Sequence, residues 1–306
     1  MRKLILPSAL MLCFALLLSL FAAASALTNA PIAENLDICT YRGVSVGGRL
    51  SATDPEGDRV TFEITTNPIK GTVDLDDNGH FVYTPDAGKR GKDYFGYRAV
   101  DSEGNRSQEA TVIIRIQKQQ SSVTYVDLEG EGCACAAQRL AEAGIFVGEC
   151  LAGDYVFSPE TPVTRSEFLT MCMKVANAEP LSEVHSTGFS DDAEIEVWAR
   201  PYVGAALQCG IISGYAEEDV GAVFGASQHI TAAEAAAILD RAVELTDAVE
   251  TWFSYDDALP TWAVQSAANV SSCGLLPYGC SFTDKTLSRG AAAELLCGAI
   301  DIVAKR

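Results

Sequence analysis

Basic and histidine side chains are the scarcest functional groups in this 306-residue chain. It contains three histidines and 22 Lys/Arg against 41 Asp/Glu, which gives a formal net charge of -19 at pH 7. The deficit is uneven, because residues 121–306 hold 27 acidic and nine basic side chains. Binding to a nucleic-acid backbone needs a basic surface. The composition therefore argues against nucleic acid as a partner.

Sequence motifs for catalysis are also lacking. We find no His-Glu-x-x-His zinc motif and no phosphate-binding glycine loop, and we predict no nucleophile elbow, in which a Gly-x-Ser-x-Gly turn leads from a strand into a helix. His80, His185 and His229 lie near no pair of cysteines with the spacing of a zinc site. Pairs of carboxylates are weak evidence for catalysis in so acidic a chain. We therefore predict that the protein is not an enzyme.

Long apolar runs are absent apart from one at the start of the chain. It extends from Leu4 to Ala24, follows Arg2 and Lys3, and ends in the small residues that are typical of a leader cleavage site. We interpret residues 1–26 as a secretory signal peptide, with an uncleaved membrane anchor as the alternative. The pattern predicts an exported protein that has no membrane partner after cleavage.

Cysteine is frequent, with ten residues, of which Cys13 lies in the predicted leader. An exported chain can oxidise its thiols, and Cys150 with Cys172 and Cys273 with Cys280 are candidate pairs. The odd number that remains leaves at least one thiol unpaired. We expect a mixture of disulfides and small buried cysteines, with a zinc site as the alternative.

Residues 28–118 have the pattern of an all-β domain. Short runs alternate apolar and polar residues, as in Val60–Ile64 and Thr111–Ile116, and turns rich in Asp, Gly and Asn separate them. This spacing predicts a sandwich of two antiparallel sheets. Residues 119–124 are polar, without an apolar period, and are interpreted as a linker.

Two segments of this half carry a family resemblance. The run Asp54-Pro55-Glu56-Gly57-Asp58 and the strand Asp93-Tyr94-Phe95-Gly96-Tyr97 make it similar to bacterial cadherin-like or Ig-like modules. Acidic turn residues can supply oxygen ligands to calcium, the one cofactor considered, and the alternative is that they only form turns. The candidate calcium ligands are Asp54, Glu56, Asp58 and Asp101.

From Tyr125 onward the sequence repeats itself three times. The second and third copies keep a 64-residue register, and the first copy fits with a small deletion. Self-similarity of this period indicates units that bury their apolar faces against one another. The pairs that define the register are Phe189 and Phe253, Trp198 and Trp262, Cys209 and Cys273, and Gly210 and Gly274.

Helix signals recur at fixed places in each copy. Thr164 and Thr231 are predicted N-caps, and a glutamate three residues later completes a capping box in both cases. Ser288 is the third N-cap, but Ala291 replaces its glutamate. In the second copy the apolar spacing from Trp198 to Cys209 predicts that these residues lie along one helical face, and Gly210 is placed to end the helix.

These fragments together resemble the S-layer homology (SLH) repeat. The resemblance rests on Phe189-Ser190-Asp191, Gly210-Ile211-Ile212-Ser213-Gly214-Tyr215 and Thr164-Arg165-Ser166-Glu167. It implies a helical, pseudo-threefold module that binds anionic, often pyruvylated, secondary cell-wall polysaccharide in grooves between repeats, at a Gram-positive-type surface. We assign the repeats to residues 125–180, 187–246 and 251–303. The predicted fold class is therefore multidomain, with an all-β sandwich followed by an all-α module.

An anionic polymer needs fixed positive donors and a surface for sugar rings. Arg165 and Arg289 follow the N-caps, where free N–H groups and the helix dipole also favour an anion, whereas Ala232 holds this place in the second repeat. Trp198 and Trp262 are candidates for stacking on sugars, with a core role as the alternative. The predicted polysaccharide-binding residues are Arg165, Arg289, Trp198, Trp262, Asp127, Asp191 and Glu167.

Three functions are open at this stage. The favoured one is a non-catalytic surface protein that is anchored to wall polysaccharide or peptidoglycan and displays its β-sandwich. The second is an adhesin-like protein whose sandwich binds a protein or a glycan, with the repeats as scaffold. The remote third is a hydrolase that acts on cell-wall glycan.

Overall fold

The computed structural model describes residues 29–217, 221–248 and 258–306. The predicted signal peptide, residues 1–26, lies outside the described residues, as do Phe253 and Tyr255 at the start of the third repeat. In the described part of the chain, no helix is long and apolar enough to cross a membrane.

The chain forms two compact units. One contains residues 29–43 and Gly47–Lys118, and the other contains Val44–Val46 and Gln119–Arg306. The first unit consists of strands connected by turns. Its strands are β1 (Ile32–Ala33), β2 (Leu36–Tyr41), β3 (Val46–Arg49), β4 (Ala52–Thr53), β5 (Thr61–Thr66), β6 (Gly71–Leu75), β7 (His80–Pro85), β8 (Gly91–Val100) and β9 (Ala110–Gln117).

The strands of the first unit form three small sheets. The orders are β2-β9-β8-β5, β3-β7-β6 and β1-β4. Strands β8 and β9 pair in antiparallel fashion, with Phe95 opposite Val112, whereas β2 runs parallel to β9, with Ile38 opposite Ile114. The parallel pair departs from the predicted antiparallel sandwich. It arises because β2 pairs with the last strand, β9, and not with the strand that follows it in sequence.

Aromatic side chains fill the space between the two larger sheets. Alternate residues of β7 point inward, and Phe81 and Tyr83 have no exposed surface. Phe81 meets Phe95 of β8 edge to face, with the ring centroids 5.2 Å apart. Burial of one such ring contributes about 1.5–3 kcal/mol. Gly48 of β3 is required here, because a Cβ at this position would lie 2.5 Å from the Phe81 ring.

The second unit contains helices and short hairpins. Its helices are α1 (Ala134–Glu142), α2 (Arg165–Val175), α3 (Arg200–Gln208), α4 (Ala232–Val243), α5 (Val264–Ser272) and α6 (Arg289–Val303), with 3-10 turns at Asp192–Glu194 and Thr261–Ala263. Its strands are β10 (Glu149–Leu151), β11 (Asp154–Val156), β12 (Tyr215–Glu217) and β13 (Gly221–Val223).

The predicted fold class is therefore wrong. The described part of the chain is mixed, 27% helical and 25% strand, with several small sheets, and it is not a clear β-sandwich followed by an all-α module. In the second unit two hairpins, β10–β11 and β12–β13, stand between the helices. Ala152 and Gly153, both with positive φ, form the turn of the first hairpin. Three-residue strands leave too short a pattern to be recognised in the sequence.

The three repeats meet at a ring of backbone hydrogen bonds. Val163 N donates to Leu287 O at 2.9 Å, Leu287 N donates to Ile230 O at 3.0 Å, and Ile230 N donates to Val163 O at 3.0 Å. Each of these residues immediately precedes a helix N-cap, and each is almost fully buried. The second unit therefore has a pseudo-threefold centre.

Packing of the helices follows the same rotation. The short helix of each repeat contacts the long helix of another, so that α3 packs on α2, α5 on α4 and α1 on α6. The long helices α2, α4 and α6 contact one another at the centre. Because α1 of the first repeat packs on α6 of the third, the array closes on itself.

The helix-start predictions are confirmed. Thr164 and Thr231 form capping boxes with Glu167 and Glu234, and Ser288 accepts from Ala291 N without a second half. Each box satisfies backbone donors that the helix itself leaves free.

The predicted helical face in the second repeat is only partly correct. Val203 and Ala206 are buried, but Trp198 precedes the helix with 49% of its surface exposed, and Cys209 is exposed at its end. Gly210 follows directly with a φ of 72°.

The segment predicted as a linker has fixed contacts. The Glu142 carboxylate accepts hydrogen bonds from the backbone N–H groups of Gln120 and Ser121, from the Ser121 hydroxyl and from the amide of Gln138. Desolvation acts to raise the pKa of Glu142, but these hydrogen bonds together outweigh it and hold the pKa below its usual range. Residues 120–121 are thereby tied to α1.

Candidate functional site

Arg165 crosses from the first repeat into the second. It is the first residue of α2, and only 7% of its surface is exposed. Its guanidinium carbon lies 4.7 Å from the centroid of the Tyr215 ring and 5.5 Å from that of Phe224. Its Nη1 is 3.6 Å from Oε1 of Glu234, a distance that allows attraction without a hydrogen bond. We call the site formed by Arg165, Tyr215, Phe224 and Glu234 the Arg165 groove, because the family resemblance implies binding grooves between repeats.

Two nitrogens of Arg165 are unsatisfied. Nε and Nη1 are buried and have no hydrogen-bond partner in the described residues. A buried donor without a partner costs about 1–3 kcal/mol, and more when it is charged. An anion that reached these nitrogens would remove this cost, and the free N–H groups at the start of α2 favour the same charge.

Glu234 has a second partner in the same groove. Its Oε1 accepts a hydrogen bond from the hydroxyl group of Tyr215, while its Oε2 accepts one from the backbone N–H of the N-cap residue Thr231 at 3.0 Å. Burial raises the pKa of Tyr215 well above its usual range. Glu234 therefore fixes the ring on which the Arg165 guanidinium lies, and it also caps α4.

Arg289 makes the corresponding crossing from the third repeat into the first. It is the first residue of α6 and is 8% exposed. Its Nη1 donates to Phe157 O at 2.7 Å, and its Nη2 is 3.9 Å from Glu167 Oε1. Its guanidinium carbon lies 5.4 Å from the centroid of the Phe146 ring. We call this corresponding site the Arg289 groove. Here the carbonyl of Phe157 already accepts one hydrogen bond from the guanidinium.

The third crossing, from the second repeat into the third, lacks both charges. The rotation that relates Arg165 to Arg289 places Ala232 at the start of α4, where its N–H donates to Asp284 O at 3.2 Å. The position that corresponds to Glu167 and Glu234 is Ala291. In the sequence, Ala232 and Ala291 are two separate departures from the repeat pattern, in different repeats. In the fold they face the same interface, which therefore has neither the arginine nor the glutamate of the other two.

Asp127 and Asp191 brace the chain after each hairpin. Asp127 accepts from Phe157 N at 3.0 Å and Ser158 N at 2.6 Å, and Asp191 accepts from Phe224 N and Gly225 N at 2.8 Å each. These bonds position Phe157 and Phe224, which line the two grooves. Both carboxylates therefore act on the grooves through the backbone, and the third equivalent, Tyr255, lies outside the described residues.

The two predicted stacking residues are at the surface. Trp198 is 49% exposed and Trp262 is 52% exposed, so half of each indole is free to meet a ligand. Trp198 lies before α3, and Trp262 lies in the 3-10 turn before α5. Neither takes part in the cation–π contacts of Arg165 or Arg289.

The candidate calcium ligands organise turns in the first unit. Asp54 Oδ1 accepts from the N–H groups of Glu56 and Asp58, and Asp101 accepts from residues 103 and 105 in the same manner. Desolvation and then the surrounding carboxylates raise the pKa of Glu56. Within the described residues, no group of three or more His, Cys, Asp or Glu side chains is placed to hold a metal ion.

The expected disulfides are not formed. None of the nine cysteines from Cys39 to Cys297 forms a disulfide. Cys150 lies exposed on strand β10 while Cys172 is fully buried within α2, so this predicted pair is wrong. Cys273 and Cys280 are also unpaired. Burial raises the pKa of Cys172, and this thiol behaves as a small core residue.

A Gly-x-Ser-x-Gly sequence does occur, at Gly43–Gly47. It connects strands β2 and β3, and no helix follows it, so it lacks the setting of a nucleophile elbow. Ser45 is 2% exposed, and its hydroxyl accepts from Gly130 N at 3.2 Å. The serine therefore has a structural role.

Comparison with known families identifies the first unit. Residues 28–118 match the bacterial cadherin-like domain. This agrees with the resemblance found in the sequence for the same residues.

Curated relatives cover more of the chain. An amylopullulanase of Thermoanaerobacterium thermosulfurigenes is 25% identical over 283 residues, 90% of this chain and 14% of the relative. A cellulosome-anchoring protein of Acetivibrio thermocellus is 28% identical over 149 residues, 45% of this chain and 32% of the relative. An exoglucanase of the same organism is 26% identical over 189 residues, 59% and 16% respectively. The chain thus spans less than a third of the length of these relatives.

Solved structures give weaker matches. A polysaccharide-binding surface protein of Bacteroides thetaiotaomicron is 20% identical with a TM-score of 0.24, over 30% of this chain and 16% of that chain. The fibronectin(III)-like modules of Clostridium thermocellum CbhA are 16% identical with a TM-score of 0.23, over 32% and 52%. Scores of this size carry no inference about fold or function.

Proposed function

We propose that this chain is a non-catalytic, exported surface protein that binds anionic wall polysaccharide through its three repeats, in the manner of SLH repeats. The observation that carries the proposal is Arg165, a buried arginine at a helix start with two unsatisfied nitrogens. Localisation at a Gram-positive-type cell wall follows from this ligand. The cadherin-like domain is displayed outward.

The chemistry of the Arg165 groove supports an acidic sugar as the ligand. A guanidinium is planar and can grip a carboxylate with two parallel hydrogen bonds. The Tyr215 ring holds the Arg165 guanidinium over its face and so fixes the donor that would meet a carboxylate. Exposed Trp198 and Trp262 offer further stacking surfaces along the module. These features together fit a polymer that carries carboxylates at intervals.

The three interfaces differ in competence. The Arg165 guanidinium has nitrogens without a hydrogen-bond partner in the described residues, whereas the Arg289 guanidinium already donates to Phe157 O. The Ala232 interface has alanine at both the arginine and the glutamate positions. We therefore propose that the Arg165 groove is the principal binding site. The Arg289 groove is secondary, with Glu167 at its edge.

The relatives support a role at the cell surface. One of them is named a cellulosome-anchoring protein, and two are named as an amylopullulanase and an exoglucanase. Because this chain spans a small part of each, we transfer only the anchoring role and no catalytic activity. The proposed partner is secondary cell-wall polysaccharide or peptidoglycan.

Sedimentation with cell-wall sacculi tests the proposal. The chain without residues 1–26 should pellet with sacculi that carry the polysaccharide and stay in solution with sacculi from which it has been extracted. Arg165→Ala should weaken retention at least tenfold, since one charged pair held out of water is worth about 1.5–3 kcal/mol. Retention by Arg165→Ala equal to that of the unmodified chain would exclude the groove.

A matched variant controls for charge. Arg241 is exposed on α4 and donates only to Ile211 O in the described structure. Arg241→Ala removes the same charge from the same unit, so it should keep its retention. If both variants lose retention equally, binding follows net charge and not the groove.

A further inference from the structure

One face of α6 lies against α1 where the third repeat meets the first. Residues at positions i, i+4, i+7 and i+11 of a helix share one face. On α6 these are Gly290, Glu294, Cys297 and Asp301. We call the interface between this face and α1 the closing seam, since it joins the last repeat to the first.

Contacts on both sides of Glu294 define the seam. At one end, a Cβ on Gly290 would lie 3.2 Å from the sulfur of Cys133, the N-cap residue of α1. At the other end, Arg139 of α1 donates to the Cys297 sulfur at 3.3 Å and to both oxygens of Asp301 at 3.0 and 2.6 Å. Glu294 therefore stands between two points at which the helices touch.

Glu294 is the carboxylate in this seam that has no partner. It is partly buried, and among the described residues it makes no hydrogen bond and no ion pair. Arg139, the cation on α1, forms a bidentate ion pair with Asp301. Burial disfavours the charged form of a carboxylate placed this way.

The groups that face Glu294 do not offset its charge. Thiols of Cys133 and Cys280 lie near it, and burial raises their pKa values to about 12 and about 11, so both stay neutral. Burial also raises the pKa of the Cys297 thiol, against the opposing effect of Arg139.

Further out, the charges are again acidic. Glu131 and Glu160 lie near Cys133, and Asp284 lies near Cys280, each with the same sign as an ionised Glu294. Cys135, one turn before Arg139, acts on that arginine. Hydrogen bonding to Arg139 lowers the pKa of Asp301, which is therefore ionised throughout the neutral range.

We propose that Glu294 makes the closing seam a proton-operated latch that controls the Arg289 groove. Protonated, its side chain packs between α1 and α6 and the ring of repeats is closed. Ionised, it draws water into the seam and loosens α6. Arg289 is the first residue of the same helix, so this loosening withdraws it from Phe157 O and Glu167. The link to the groove rests on the proposed function, whereas the latch itself does not.

The direction of the pH effect follows from linkage. Burial raises the pKa of Glu294 from 4.5 to about 7, so the folded protein holds this proton more tightly than the unfolded chain does. The stability that the neutral form contributes is complete below about pH 4.5 and is lost as the pH rises through about 7. Acidic conditions close the latch, and it opens as the pH rises to about 7 and above.

Thermal unfolding of the full chain between pH 5 and 9 tests the latch. We compare the unmodified chain with Glu294→Gln, which keeps the shape and cannot ionise. At pH 8.5 the variant should melt roughly 5 °C higher than the unmodified chain, and at pH 5 the difference should be much smaller. Superimposable melting profiles across the whole range would overturn the latch. Glu294→Leu, which removes the group, should behave like Glu294→Gln and covers the case in which the amide itself disturbs the fold.

A control and a local readout make the test specific. Glu149→Gln removes one exposed carboxylate of the same unit, and its melting profile should parallel that of the unmodified chain. Hydrogen exchange, corrected for intrinsic rate, should show protection of α1 and α6 falling as the pH rises from about 5 to about 7 in the unmodified chain and not in Glu294→Gln. Uniform loss over all helices would argue against a local seam.

Sacculus sedimentation at pH 5.5 and 8.5 separates the two proposals. If retention falls at pH 8.5 for the unmodified chain and not for Glu294→Gln, the latch controls binding. If neither pellets at any pH while the melting profiles differ, the wall-binding proposal fails and the latch stands. If both pellet equally at both pH values, control of the groove is refuted.

Discussion

Arg165 and Arg289 occupy the same position in two repeats, and yet their guanidinium groups have different surroundings. Both follow a helix N-cap, both are more than nine-tenths buried, and both reach the next repeat. Arg289 donates to the backbone oxygen of Phe157, whereas Nε and Nη1 of Arg165 donate to nothing in the described residues. The motif determines where an arginine goes, and the facing loop determines whether its donors are free.

The largest expected contrast is in stability. Arg289→Ala should lower the free energy of unfolding by about 2 kcal/mol, because it leaves the buried oxygen of Phe157 without its donor. Arg165→Ala should cost less than this, because the loss of a cation–π contact worth about 0.5–2 kcal/mol is offset by the removal of donors that have no partner. Chemical denaturation measures both. Equal losses would contradict the difference between the grooves.

The interface between the second and third repeats, which has Ala232 and Ala291 in place of the arginine and glutamate, allows the comparison to be extended. Introducing Ala232→Arg together with Ala291→Glu should restore the missing pair and raise sacculus retention a few-fold above that of the unmodified chain. Ala232→Arg alone places a buried charge opposite an alanine, so we expect it to lower the melting temperature without a gain in retention. A double variant that binds no better would show that an Arg–Glu pair is not enough to make a groove.

The smallest effect concerns the loops that position the groove aromatics. Ser158 has a φ of 57°, and the corresponding Gly225 has a φ of 75°. A left-handed conformation costs a non-glycine residue about 1–2 kcal/mol. Replacement by glycine removes this cost, but part of the gain is cancelled because glycine also gives the unfolded chain more conformational freedom. Ser158→Gly should therefore raise the free energy of unfolding by up to about 1 kcal/mol, and Gly225→Ala should lower it by about 1 kcal/mol. Changes of the opposite signs would contradict the equivalence of the two loops.

Local signals in the sequence predicted the helix starts well. The threonine and glutamate of each capping box are three residues apart, and the interaction they make depends only on that spacing. Alternation likewise indicated strands such as β5 and β9 in the first unit. Strands β1 and β4 have only two residues each, too few to show a period.

Contacts between distant residues could not be read from the sequence. Nothing local relates Arg165 to Glu234 or Ala232 to Ala291, because these pairs form only when the repeats close around an axis. The parallel pairing of β2 with β9 has the same origin, since more than 70 residues separate the partners Ile38 and Ile114. Trp198 was predicted to lie within the helix because its spacing continues the apolar pattern, but the helix begins two residues later, at Arg200.

The ring formed by Val163, Leu287 and Ile230 has a consequence for the size of the module. Each repeat gives one backbone hydrogen bond and receives one, so deleting any repeat removes two of the three bonds and exposes two buried side chains. An open array can gain or lose units at its ends, since each unit contacts only its neighbours. Here there are no ends to extend or trim. Three repeats therefore complete the ring of hydrogen bonds, and adding or removing one repeat would break it.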